Sequence, residues 1–168
     1  AMSMRFYGEP SSQMTVVGVT GTNGKTTTSY LTKSIIEASG SEAGLIGTIQ
    51  YQIGKMVIPA QETTPESVEI QRYLAEMLKS GIKYAVIEAS SHALSQHRVE
   101  GVRFSSAIFT NLSVEHLDYH ANIQNYRAEK LKLVKGLDTE AFAILNADHN
   151  ASKHFAECTR AQVVWYGI

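Results

Sequence analysis

The 168-residue chain is 43% hydrophobic, enough for a single domain with a substantial core, and its 15 Lys and Arg against 16 Asp and Glu leave a formal net charge of −1. That balance excludes a general nucleic-acid or membrane-surface binder, and no apolar stretch approaches the length of a membrane span. Its lone cysteine, Cys158, cannot form an internal disulfide and the N-terminus lacks a signal-peptide pattern, so a reducing cytoplasm is the expected setting.

Ala1-Met2-Ser3-Met4 reads as a cloning remnant and Arg5 to Gln13 as a polar lead-in, which leaves residues 14–168 as the domain. Met14 to Val19 is the first buried strand. It runs into Gly18-Val19-Thr20-Gly21-Thr22-Asn23-Gly24-Lys25-Thr26-Thr27-Thr28, where an apolar run stops at glycines and restarts as a helix. The stretch has the chemistry of a phosphate-binding loop: Gly18, Gly21 and Gly24 permit a tight backbone whose N–H groups converge on an anion. Lys25 adds a mobile charge for the outer phosphates, Thr26 a hydroxyl for Mg2+, and the following helix its positive end. The spacing is a variant, because the strict pattern needs glycine five residues before Gly24 and Val19 stands there.

The helix from Thr26 to Ser39 carries Leu31, Ile35 and Ala38 at helical spacing as its expected packing face. Gly44 to Ile49 and Tyr51 to Ile58 read as strands, with a hairpin through Ile53-Gly54-Lys55. Thr63-Thr64-Pro65-Glu66 predicts a threonine-capped helix with proline at its first position, an apolar face of Ile70, Leu74, Met77 and Leu78, and a stop at Gly81. Lys83 to Ala89 is nearly continuously apolar, as in a central parallel strand, and ends in Glu88. A short strand, Ala107 to Phe109, ends in Thr110-Asn111. A helix from Ile123 to Lys135, a strand from Ala141 to Leu145 ending in Asn146, a helix from Ala151 to Cys158 and a strand from Gln162 to Tyr166 complete the chain. Strands alternating with helices predict a mainly parallel, doubly wound α/β sheet of the P-loop type. Ligands bind beyond the carboxyl ends of such strands, where the glycine loop, Glu88-Ala89-Ser90-Ser91-His92, Thr110-Asn111 and Asn146 would lie.

Several residues at those ends carry chemistry. Glu88 is a hard oxygen ligand for a Mg2+ held beside the loop. Glu115-His116-Leu117-Asp118-Tyr119-His120 places two histidines four apart, which could chelate a metal from a helix or form a polar surface turn. Lys130 shares a helical stripe with Ile123, Tyr126, Val134 and Leu137 that should face the core. A lysine there must snorkel, find an anion, or lose its charge and react, for example with CO2 to a carbamate. Gln96-His97-Arg98 offers a guanidinium to a carboxylate or phosphate, or an ordinary surface arginine. Ser90-Ser91-His92 lacks the glycines of a nucleophile elbow and does not favour hydrolase chemistry.

Taken together, Phe6-Tyr7-Gly8-Glu9-Pro10-Ser11, the glycine loop from Gly18 to Thr28, Thr63-Thr64-Pro65, Glu88-Ala89-Ser90-Ser91-His92-Ala93-Leu94, Gln96-His97-Arg98-Val99, Phe109-Thr110-Asn111-Leu112 and His116-Leu117-Asp118-Tyr119-His120 resemble the Mur ligases. These are ATP-dependent amide-bond-forming enzymes of peptidoglycan synthesis, and the nearest likeness is to those adding the third residue of the stem peptide. The resemblance implies most of a central ATP-binding domain, with the N-terminal uridine-binding and C-terminal amino-acid-selecting domains lying outside these residues. It implies that ATP phosphorylates the D-glutamate side chain of UDP-MurNAc-L-Ala-D-Glu and that a diamino acid, diaminopimelate or lysine, attacks the acyl phosphate. Gly21, Thr22, Asn23, Gly24, Lys25, Thr26, Thr27 and Asn111 would bind ATP. Thr26 and Glu88 would hold one Mg2+, and His116 a second, supported by Lys130 as its carbamate. Lys25, Glu88, His116 and Lys130 would be the catalytic set, while Thr63, Thr64, Ser90, Gln96 and Arg98 would contact the UDP-muramoyl dipeptide. One departure is Glu62, which precedes Thr63 where relatives often carry asparagine. A monomer without nucleic-acid or membrane partners is expected, able to bind nucleotide but not to ligate alone. Rival readings are another amide ligase of the superfamily, such as a folylpolyglutamate or cyanophycin synthetase, or a GTPase-like binding module. Ser90-Ser91-His92 and Gln96-His97-Arg98 favour the muramoyl enzymes, and the Asn-Lys-x-Asp segment of guanine readout is absent.

Overall fold

The computed structural model describes residues 2–113, 120 and 122–168, so His116 and Asp118 lie outside the described residues. Within it the strands are β1 Thr15–Thr20, β2 Ala43–Ile46, β3 Gln50–Ile53, β4 Met56–Pro59, β5 Tyr84–Glu88, β6 Ser106–Phe109, β7 Phe142–Asn146 and β8 Gln162–Tyr166. They form one sheet in the order β4-β3-β2-β5-β1-β6-β7-β8. From β2 to β8 the neighbours are parallel, while β3 and β4 add an antiparallel hairpin at one edge. The predicted turn at Gly54 makes that hairpin, with Ile53 opposite Met56. The expected doubly wound parallel sheet is therefore present.

Topology fixes where a ligand can sit. The chain leaves β1 for β2, returns beside β1 as β5, and then crosses to the other side of β1 as β6. Connections leaving in opposite directions open a cleft at the carboxyl ends of β5, β1 and β6.

The helices are α1 Met2–Phe6, α2 Lys25–Ala38, α3 Ser67–Lys79, α4 Ser91–Ser95, α5 Ile123–Lys135 and α6 Ala151–Cys158. One sheet face buries Val16, Ile46, Ile87, Phe109 and Leu145 against Ile70, Leu74 and Met77 of α3, Leu133 and Val134 of α5, and Phe155 of α6. Each such side chain contributes about 1.5–3 kcal/mol on full burial. The other face holds a smaller cluster, Val17, Val19, Leu45, Val86 and Ile108, on which Tyr30 and Ile36 of α2 pack.

Three expectations are corrected. The predicted face of α2 points outward: Leu31 is 58% and Ile35 70% exposed, because the glycine loop fixes the first turn and turns Ser29, Tyr30 and Ile36 toward the sheet instead. Gly18 does not bend the loop. It lies within β1, where an added Cβ would come within 2.9 Å of the Phe104 ring and 3.1 Å of Leu133. Thr64 does not cap α3, which starts at Ser67 after an extended Glu66, since its hydroxyl is committed to the neighbouring strand end. The N-terminal segment carries structure of its own: Met2–Phe6 is helical, Pro10–Ser12 is a 3-10 turn, and buried Ser11 accepts a hydrogen bond from Arg103 N at 3.0 Å.

Candidate phosphate and carboxylate site

The loop between β1 and α2 is built by its neighbours as much as by itself. Gly21 (φ 147°) and Gly24 (φ 82°) take backbone conformations that side chains disfavour, and a Cβ on Gly21 would lie 1.9 Å from Thr110 Oγ1. Asn111 clamps the loop through both ends of its amide: Oδ1 accepts from Asn23 N (2.9 Å) and Nδ2 donates to Asn23 O (3.1 Å). Thr110 Oγ1 donates to the same carbonyl at 2.7 Å. Thr22 Oγ1 accepts from Ser113 N (2.9 Å) and from the Tyr126 hydroxyl (3.2 Å).

Two ammonium groups meet at the Gly21 carbonyl. Lys25, the first residue of α2, donates to Gly21 O (3.1 Å) and Thr22 O (2.7 Å). From α5, Lys130 reaches Gly21 O at 2.7 Å with its Nζ 4.4 Å from the centre of the Tyr126 ring. Lys130 is only 1% exposed, so it does not snorkel. Tyr126, Val134 and Leu137 of its stripe are buried as expected, whereas Ile123 is half-buried.

Glu88 ends β5 with no solvent exposure. A buried carboxylate is costly unless it collects donors, and this one has three. Thr26 Oγ1 (2.9 Å) and Thr48 Oγ1 (3.0 Å) donate to Oε2, and Thr48 N (3.1 Å) donates to Oε1. Because the Thr48 hydroxyl donates to Glu88, the Thr63 hydroxyl 3.1 Å away donates to Thr48. Gly47 makes room, as a Cβ there would stand 2.2 Å from Glu88 Oε1. Thr64 Oγ1 donates to Glu88 O (2.6 Å) and accepts from Ser90 N (3.1 Å), while Ser90 Oγ caps α4 by accepting from Ala93 N (3.1 Å). Glu88 thus joins the loop threonine to the 63–64 segment through its carboxylate and, through its backbone carbonyl and Thr64, reaches the start of α4.

Arg98 follows α4 and turns back onto the same segment. Its Nη1 donates to Thr64 O at 2.9 Å and pairs with Glu62, and its Nε donates to Gln96 Oε1 at 2.8 Å and faces Glu66 Oε1 at 3.1 Å. His120 is 5% exposed, its ring between His92 (centroids 5.5 Å apart) and Tyr126 (5.2 Å), so it is not part of a polar surface turn. Among the described residues no three His, Cys, Asp or Glu side chains cluster as a metal site, so the oxygen donors converging near the loop are the Glu88 carboxylate and threonine hydroxyls.

Thr48 and His149 escaped the sequence reading. Thr48 announced itself only as a Gly-Thr pair after a strand. His149 Nδ1 lies 3.1 Å from Ala151 N, and its Nε2 lies 3.1 Å from Leu112 N and 2.9 Å from Leu112 O, so the ring ties the start of α6 to residue 112. With Asn146 Nδ2 on Thr110 O (2.8 Å), it holds the segment that carries Asn111.

Residues 19–168 match the sequence profile described as Mur ligase middle domain. The chain is 46% identical over 170 residues to the UDP-N-acetylmuramoyl-L-alanyl-D-glutamate–2,6-diaminopimelate ligase of Halalkalibacterium halodurans, covering 99% of this chain and 35% of that protein. It is 42% identical over 167 residues to the ligase of the same name from Caldanaerobacter subterraneus, covering 99% and 34%. A solved structure of a ligase bearing that name superposes with a TM-score of 0.82 at 30% identity, over 92% of this chain and 32% of that one. The chain thus spans about a third of the length of the relatives it matches.

Proposed function

Since the chain belongs to the Mur ligase family, matched through its middle domain, we propose that it is the nucleotide- and acyl-donor-binding part of an ATP-dependent ligase of peptidoglycan synthesis. The whole protein would add a diamino acid, 2,6-diaminopimelate by analogy with the relatives' names, to UDP-MurNAc-L-Ala-D-Glu. No helix among the described residues is long and apolar enough to cross a membrane.

The observation that carries this reading is the Glu88–Thr26 bond at 2.9 Å beside the glycine loop. A buried carboxylate against the hydroxyl that follows the loop lysine is an oxygen donor set suited to Mg2+. Mg2+ bound there would neutralise phosphate charge. The loop N–H groups from Gly21 to Thr27 would bind the phosphates, and Asn111 would keep the loop in shape. Lys25 would turn from Gly21 O and Thr22 O toward the outer phosphate, contributing by preorganised charge. Thr63, Thr64, Ser90, Gln96 and Arg98 would bind the muramoyl dipeptide, and the Thr48–Thr63 contact supports placing that ligand next to Glu88. His116 and Lys130 remain assigned, on the family resemblance, to a second Mg2+, with Lys130 as its carbamate. As the unmodified ammonium, Lys130 instead braces Gly21.

Calorimetric titration of ATP, with and without Mg2+, into the wild type and Lys25→Ala tests the proposal. Mg2+-dependent binding that the variant loses supports it. A folded wild type that does not bind ATP would overturn the nucleotide assignment.

A further inference from the structure

The Arg98 guanidinium is already satisfied by its own chain. Thr64 O and Gln96 Oε1 accept from it, and the carboxylates of Glu62 and Glu66 sit against it. The partners differ in mobility. Arg98 has a side chain only 14% exposed, whereas those of Glu62 and Glu66 are 49% and 63% exposed. Either carboxylate can swing into water with little change in hydration, but the guanidinium must keep an anion or lose its pairing in a shielded place. The backbone around Glu62 is fixed. The Tyr51 hydroxyl donates to Glu62 O at 2.7 Å, and Thr64, two residues on, is pinned to Glu88 O at 2.6 Å. Release of Arg98 from its carboxylates therefore requires only side-chain rotation of Glu62 and Glu66.

Resting on the reading that Arg98 receives an acidic group of the muramoyl dipeptide, we propose that Glu62 is a built-in competitor for that group. Its carboxylate holds Arg98 in the ligand-free protein, and a carboxylate or phosphate of the substrate displaces it. One guanidinium–anion pair is exchanged for another, so no net pairing is lost. The exchange makes the site selective: a ligand with a neutral group at this position leaves Glu62 in place, while an anion that can also reach the Thr64–Ser90 corner opens it. Glu66 makes the second, more exposed contact and moderates the same competition.

The test titrates UDP-MurNAc-L-Ala-D-Glu into the wild type, Glu62→Gln, Glu62→Asp and Glu100→Gln, all shown to be folded. Removing the competing charge is expected to tighten binding about two- to fivefold in Glu62→Gln, the upper range of a partly exposed ion pair. The shorter Glu62→Asp falls between it and the wild type. Glu100 pairs with His97, not Arg98, so Glu100→Gln removes the same charge nearby and leaves affinity unchanged. Unchanged or weaker binding in Glu62→Gln, or equal tightening in Glu100→Gln, overturns the competitor while leaving the proposed function intact. If Arg98→Gln, folded and binding Mg2+-ATP, binds the dipeptide as tightly as the wild type, Arg98 is not a substrate contact and the competitor falls with that reading.

Discussion

At the scale of single residues, the site depends on how a charge is kept in a place without water. Glu88 survives burial because Thr26 and Thr48 supply three donors, so removing one should be felt in both stability and ligand binding. Thr48→Val keeps the shape and deletes one hydroxyl, and the expected cost is about 1–2 kcal/mol by urea unfolding. Gly47→Ala pushes on Glu88 Oε1 directly and should weaken Mg2+-dependent ATP binding about tenfold by calorimetry, while ATP binding without Mg2+ changes less. Tyr51 illustrates burial acting on a neutral acid. Desolvation, with smaller contributions from Tyr73 and Glu69, raises its phenol above the ordinary value of 10.0. A raised folded-state pKa means that stability is intact below pH 10 and falls as the unfolded chain deprotonates first above it. Tyr51→Phe should therefore show a shallower loss of unfolding free energy above pH 10 than the wild type.

At the scale of elements, α2 and α5 carry opposite lessons. The apolar spacing of α2 suggested a core face through Leu31 and Ile35, yet the helix is anchored by its N-terminal loop, and the rotation of that first turn sets which side meets the sheet. Leu31→Glu and Ile35→Glu should each change stability by less than about 0.5 kcal/mol, whereas Met77→Ala on α3 should cost about 2–5 kcal/mol, both read from urea midpoints. For α5 the stripe identified from sequence is the buried one, and the anomalous lysine in it reaches the glycine loop. Lys130→Met retains the apolar stem and removes a buried cation. Losing this buried donor should cost about 1–3 kcal/mol of stability, and ATP affinity falls because one brace on Gly21 is gone, a combination that unfolding and calorimetry together would reveal.

At the scale of the whole molecule, the site is an assembly of segments far apart in the chain: residues 21–26, 48, 63–64, 88 and 110–111 meet because β5 and β6 flank β1. Ligand binding should therefore stabilise the fold as a unit. Mg2+-ATP at about a hundred times its dissociation constant adds about 2.7 kcal/mol, or about 5–10 °C in Tm for a chain of this size, and Lys25→Ala should show little of that shift. The sequence by itself determined the alternation of strands and helices, the bounds of α5, α6 and β8, the glycine loop, and the presence of Glu88 at a strand end, because periodicity, glycine and a lone charge after an apolar run are local signals. Only the tertiary structure decided the partners. Thr48 becomes significant when β2 lies beside β5, and His149 when β7 lies beside β6; Thr64 serves a strand end rather than a helix, and α2 shows its apolar stripe to solvent. Each of those outcomes depends on which strand neighbours which, and strand order is set by the packing of the whole sheet and its helices, which no single stretch of residues encodes.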